Sequence, residues 1–251
     1  LVLVEGHAGS PVEKIWLLSD GEDGEPAAAG ISLVLGRSEN RRAKCLSFID
    51  DFLQEKQLRT PLWACILIGG RSSRMGQPKH LLAANQDTSW LERTVETVSP
   101  LVEGVALSGA GEVMESLESL PRIGDIPGLK GPMTGLLSAM RFQPRTSWLL
   151  IGCDMPSISS EAINWLLQNR LPGIWATMPR LSAKAPVEPL LACYDFRCRY
   201  LVEELAVNDI RRIRKIAKSS KVIKPVIPKE FVSAWHNINT PGELTEFTGS
   251  S

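Results

Sequence analysis

Between Leu67 and Leu82 the sequence reads LIGGRSSRMGQPKHLL, directly behind the apolar run PLWACI. Gly69 and Gly70 lack a Cβ, so the backbone there can turn sharply and bring its N–H groups close to an anion. Arg74 adds a planar fork of donors and Lys79 a compact positive charge, a pairing suited to polyphosphate. The spacing is not that of a standard phosphate loop. Five residues separate Gly70 from Gly76, and Lys79 follows three later with His80 behind it. Without that chemistry, the same stretch is a strand-to-helix turn carrying solvated cations.

A carboxylate is the second element. In WLLIGCDMP an apolar run meets its first charge at Asp154, and Pro156 holds Met155 in extended geometry. An aspartate fixed at the end of a buried strand is a hard oxygen ligand of the kind Mg²⁺ takes, one or two carboxylates with water and substrate phosphates completing the shell. The plain alternative is a helix cap or turn residue. Cys153 beside it has no evident base, and packing explains it better than nucleophilic chemistry. The third element is GDIPGLKGPMTGLLSAM, Gly124–Met140. Asp125 could accept hydrogen bonds from a ribose or a base, or simply close a turn. Gly131–Pro132 opens a helix with proline in its first turn. Gly135, Ser138 and Ala139 on that helix would let it approach a sheet or a ligand closely.

These residues need elements to carry them. After Pro61, strands and helices alternate: LWACILI as strand, Thr88–Val98 as helix, GVALSG as strand, and a helix near Glu112–Leu120. Pro132–Phe142 reads as helix, Trp148–Asp154 as strand, and Ser159–Asn169 as a serine-capped helix. Continuous apolar strands between helices predict an α/β fold, a doubly wound, mostly parallel sheet covered on both faces. Ligands in such sheets bind beyond the carboxyl ends of the strands, near the reversal of strand order. Upstream, LVLVEG, KIWLLS and ISLVLG read as short strands and CLSFIDDFLQEKQ as a helix, with Glu5 and His7 as turn and cap residues. That is little for a stable domain of its own. The expected organisation is a fragment over 1–60 and a main domain over 61–248.

Composition limits the partners. Lys plus Arg and Asp plus Glu balance at 28 each, so bulk charge calls for neither DNA nor a membrane surface. No run of about 18 apolar residues appears, and no transmembrane helix is expected. The tryptophans are scattered and form no stacking platform for nucleic acid. The five cysteines form no C-x-x-C pair, which fits a reducing cytoplasm better than a zinc site or disulfide framework. In DIRRIRKIAKSSKVIK (Asp209–Lys224), Ile210, Ile213, Ile216 and Ala217 fall at helical spacing, making the cations an exposed face. The alternative is docking of an anionic acceptor. The chain begins at Leu1 inside an apolar run, as a piece of something longer would.

LIGGRSSRMGQPKHLL, GDIPGLKGPMTG, IGCDMP, VEPLLACY and NINTPGEL occur in this order, and together they resemble the molybdenum cofactor guanylyltransferase family from Leu62 to Phe247. The resemblance implies a nucleotidyltransferase fold that uses Mg²⁺ and GTP on a molybdopterin-type cofactor. It places nucleotide contacts on Leu67, Ile68, Gly69, Lys79 and Asp125, with Gly70 and Gly131 beside them. It makes Asp154 the metal ligand and sets Glu188, Asn237 and Asn239 on the acceptor side. Arg74, Lys79 and Asp154 are then the catalytic candidates. Two positions depart from the family pattern: Pro78 precedes the lysine where an acid is usual, and Gly109–Ala110 stand where an asparagine helps hold the nucleotide. Cytidylyl transfer and a non-catalytic nucleotide-binding adaptor in cofactor delivery therefore stay open. LVLVEGHAGSPVEKI resembles the later part of the GTP-binding adaptor of the same pathway. Molybdoenzyme apoproteins or other cofactor-assembly proteins are the implied partners.

Overall fold

The computed structural model describes residues 6, 9–22, 26–37, 39–68, 78–84 and 88–249. Residues 1–5 of the expected LVLVEG strand, which include Glu5, together with His7 and the turn from Gly69 to Gly76, with Gly70 and Arg74, lie outside them. The described residues form two compact units, one ending at Arg59 and the other starting at Thr60.

The first unit pairs β1 (Lys14–Leu17) in parallel with β2 (Ile31–Leu35) and follows them with α1 (Arg41–Leu58). Asn40 caps α1, its side chain accepting from the Ala43 N–H at 3.2 Å. The Arg41 guanidinium donates to the carbonyls of Leu18, Leu35 and Gly36, tying the strand ends to the first turn of the helix.

The second unit is built on a seven-stranded sheet. In chain order its elements are β3 (Leu62–Leu67), α2 (Trp90–Val98), β4 (Gly104–Ser108), β5 (Arg122–Ile123) and α3 (Pro132–Phe142). Then come β6 (Ser147–Gly152), α4 (Ser160–Gln168), β7 (Ala176–Thr177), β8 (Ala192–Tyr194), α5 (Arg199–Val207), β9 (Val222–Ile223) and α6 (Pro241–Gly249). The spatial order is β5-β4-β3-β6-β8-β7-β9, and β8 runs antiparallel to both neighbours. The chain leaves β3 towards β4 and β5, then returns through α3 to place β6 on the other side of β3. Strand order therefore reverses between β3 and β6.

Alternation along these two strands makes two cores. Leu62, Ala64 and Ile66 of β3, with Leu149 and Ile151 of β6, face Leu91 and Val95 of α2 and Ile163 and Leu166 of α4. Cys65, Trp148 and Leu150 point the other way, into Leu136 and Met140 of α3 and Val202 of α5. Helices on both faces explain why β6 is buried at every residue. Each fully buried leucine contributes about 1.5–3 kcal/mol. Gly135 lets α3 close on the sheet, because a Cβ there would run into the Leu67 side chain at the end of β3.

Two expected helices are shorter and tighter. Glu112–Leu120 contains only a 3₁₀ turn, Glu115–Leu117, which buries Leu117 and stops before Pro121. The basic stretch forms a 3₁₀ helix, Ile213–Lys218, burying Ile213 and Ile216 while Ile210 stays exposed. A spacing of three matches that geometry better than an α-helical stripe does.

Candidate active site

Lys79 begins a short 3₁₀ turn that follows Pro78. Its ammonium lies 3.0 Å from Asp154 Oδ2 and donates to Asn239 Oδ1 at 2.7 Å, so residues from three distant segments meet at one charge. Both charged side chains are mostly covered, with 14% and 19% of their surface exposed. Solvent screens such a pair less than a surface one.

Each member is held by its own element. Leu67 lies opposite Gly152 in the β3/β6 register, and the Cys153 N–H donates to the Leu67 carbonyl at 3.3 Å. This sets Asp154 two residues beyond the strand pair, at the reversal of strand order. Gly152 leaves room for the carboxylate there, since a Cβ would come within 2.7 Å of Asp154 Oδ1 and 3.1 Å of the Leu190 side chain. The Ile238 N–H donates to the Asp154 carbonyl at 2.9 Å, laying the Asn237–Asn239 segment along the aspartate. On the lysine side, the Trp90 N–H donates to the Leu82 carbonyl at 2.8 Å, fastening the turn to the start of α2. There Ser89 and Glu92 form a reciprocal capping box.

The remaining sequence candidates have their own settings. Ile68 is buried and its N–H donates to the Ser108 carbonyl at 2.9 Å. Asp125 stands exposed beyond β5, and among the described residues no hydrogen bond joins it to Lys79 or Asp154. Gly131, at φ +72°, caps the start of α3. Glu188 pairs with Arg214 at 3.4 Å, which brings the basic 213–218 helix to the VEPLLACY segment. Asn237 is exposed, and its carbonyl accepts from the Asn239 side-chain amide at 3.4 Å. Burial, then the Asp154 charge, push the Cys153 thiol up to about 12, which disfavours the thiolate.

Two residues that sequence reasoning passed over complete the arrangement. Glu243 accepts from the N–H groups of Asn239 at 2.6 Å and Thr240 at 3.1 Å. Those donors, with Lys79 beyond, lower its carboxyl below the ordinary range. Its signal was present as Thr240-Pro-Gly-Glu243, a capping-box spacing. His80 is 4% exposed, and its Nε2 lies 2.8 Å from the Glu112 carbonyl. A carbonyl only accepts, so Nε2 carries the proton and donates. Burial lowers the imidazole pKa. Among the described residues no group of three or more His, Cys, Asp or Glu is placed to hold a metal.

A mostly parallel sheet wound on both faces, with a lysine, an aspartate and an asparagine converging where strand order reverses, defines a Rossmann-like α/β protein with a polar cluster at its carboxyl edge. Residues 64–223 match the model of the MobA-like NTP transferase domain, and the chain belongs to that family. A probable molybdenum cofactor guanylyltransferase of Bacillus cereus (strain ATCC 10987 / NRS 248) is 29% identical over 194 residues, covering 73% of this chain and 94% of that one. A protein of the same description from Clostridium perfringens (strain SM101 / Type A) is 27% identical over 190 residues, covering 73% and 94%. Among solved structures, the molybdopterin-guanine dinucleotide biosynthesis protein A of Archaeoglobus fulgidus superposes with a TM-score of 0.61 at 23% identity, covering 75% of this chain and all of that one. At that identity the likeness speaks for the fold.

Proposed function

We propose that this chain transfers GMP from GTP to the terminal phosphate of a molybdopterin-type molybdenum cofactor, releasing pyrophosphate. The carrying observation is the 3.0 Å approach of Lys79 to Asp154 at the carboxyl edge between β3 and β6. In this reading a non-bridging oxygen of the acceptor phosphate attacks the α-phosphorus of GTP. The new P–O bond forms as the bond to pyrophosphate breaks. A phosphate monoester is already anionic, so no strong base is needed. What the site must supply is relief from repulsion and a sink for the charge that builds on the leaving group.

Lys79 supplies part of it. An ammonium has three N–H donors; Asp154 and Asn239 take two, and the third can serve a phosphate oxygen. The Gly69–Gly70 turn and Arg74 are assigned to the same phosphates, with Leu67, Ile68, Asp125 and Gly131 along the nucleotide and Glu188, Asn237 and Asn239 towards the acceptor. Arg214, beside Glu188, extends the acceptor side into the basic helix. Asp154 could hold a magnesium ion through Oδ1, since Lys79 lies against Oδ2 and Mg²⁺ needs only one or two protein carboxylates when phosphates complete its shell. When bound, that ion would neutralise charge on the nucleotide oxygens. The segment before Thr60 we assign to the tail of an adaptor-like domain, and the setting to a reducing cytoplasm where apomolybdoenzymes can receive the product.

The test is pyrophosphate release with GTP, CTP or ATP, with and without the acceptor. Release is expected with GTP and acceptor together. Release with CTP instead would move the assignment to cytidylyl transfer, which Gly109–Ala110 in place of the usual asparagine leaves open, and binding without release to a delivery role. Asp154→Asn and Lys79→Met should each lower turnover about a hundredfold or more, since one lost charge-stabilising group costs about 2.7–4 kcal/mol of barrier. Near-normal turnover in either defeats the assignment.

A further inference from the structure

Asn239 is exposed, so packing does not fix where its side chain points. Yet its Oδ1 sits 2.7 Å from the Lys79 ammonium. What holds it is backbone. The Glu243 carboxylate accepts from the Asn239 and Thr240 N–H groups, and the Glu243 N–H donates back to Thr240 Oγ1 at 3.3 Å. The Asn239 amide then turns its nitrogen towards the Asn237 carbonyl, leaving the oxygen for the lysine. Beneath this lies a small core separate from the two main ones: Leu82, Trp90 and Ile238, with Leu244 and Phe247 of α6 packed on it. Trp90 and Phe247 meet edge to face at 6.3 Å. Leu82 is three residues past Lys79 and Ile238 one before Asn239, so one cluster carries both partners of the contact.

We infer that α6 is a clasp on the site and that Glu243 is its positioning residue, acting through Asn239 to keep the Lys79 ammonium aimed and to stop it collapsing onto Asp154 alone. Glu243 itself touches no reacting atom. Its contribution to transfer rests on the guanylyl-transfer reading, whereas its hold on Lys79 does not.

The experiment compares the full chain with Glu243→Ala, Glu243→Gln and Glu243→Asp by two readouts. One is steady-state transfer from GTP at a temperature below every variant's melting transition. The other is the rate at which a water-soluble acylating reagent modifies Lys79, read by mass spectrometry against Lys130 and Lys184 as exposed references. Gln keeps an oxygen that can accept both N–H groups and should stay within about threefold of the parent in kcat. Ala removes the acceptor, and Asp keeps charge and helix but not reach. Both should lower kcat about tenfold with a much smaller change in the KM for GTP, as expected when an interaction used mainly in the transition state is lost. In both, Lys79 should be acylated several times faster while the reference lysines are unchanged. If Ala fails to fold, Asp carries the comparison. Lys79 acylated at the parental rate in Ala and Asp overturns the inference, as does Gln behaving like Ala, which would mean charge and not hydrogen bonding is at work. A parent chain that transfers nothing from GTP sinks the guanylyl reading, and the acylation rates still decide the clasp.

Discussion

Lys79 is a charge claimed from two sides, by a strand-end aspartate and by an asparagine far along the chain. Its neighbour His80 faces inward and fastens the same turn to the segment after β4 through the Glu112 carbonyl. Burial lowers the folded-state pKa of His80 below that of the unfolded chain. In the interval between the two values the unfolded state binds more protons, so its stabilising contribution is complete above the unfolded pKa of about 6.5 and is lost as pH falls through the lowered folded value. A single group of this kind gives a slope of at most about 1.4 kcal/mol per pH unit. Melting temperatures measured from pH 7.5 to 5 should fall, and His80→Gln should flatten part of that fall. A parallel curve for the variant would show that His80 is not responsible. At this scale the sequence displayed Lys79, Asp154 and the two asparagines by type and setting, but His80 looked like one more loop cation neighbour, because burial is not written in residue identity.

Elements decide how closely the site's walls approach. Helix α3 lies against the ends of β3 and β4 because Gly135 has no side chain to meet Leu67. Gly135→Ala should cost about 1–3 kcal/mol as an overpacked contact, read as a lower midpoint in urea at unchanged slope. Combining it with Leu67→Val should restore part of the loss, since neighbours in contact are not additive. Additive losses would place the strain elsewhere. The strands β3, β4 and β6 and the helices α2, α3 and α4 were legible in the sequence, while the short strands β5, β7, β8 and β9 and the helices α5 and α6 were not: Pro132–Phe142 has the expected bounds, and the serine-capped helix starts one residue after its cap at Ser159. The segments around Val113 and Ile213 misled, because apolar residues three apart serve a 3₁₀ turn as readily as they hint at an α-helix, and the sheet face they must reach settles the matter.

For the molecule as a whole, the two units differ in how much they bury. Among the described residues before Thr60, Leu35 alone is buried, with Leu46 on α1 largely exposed. The unit from Thr60 on holds both main cores and the small one under α6. A chain of residues 60–251 should therefore fold with one cooperative thermal transition, whereas residues 1–59 alone should show none, having too little apolar surface to offset conformational entropy. Circular dichroism on the two pieces checks this, and cooperative melting of the short one would overturn it. Alternating apolar strands and helices, the glycine-rich turn and the five ordered motifs were enough, from sequence alone, to specify a doubly wound α/β chain and the residue types at its edge, because periodicity and turn chemistry are local properties. That Lys79, Asp154 and Asn239 share one point, that Glu243 and α6 hold them there, and that Glu188 turns to Arg214 were decided only by the tertiary structure. Those relations join residues far apart in the chain, and strand order and packing, not neighbouring sequence, bring them together.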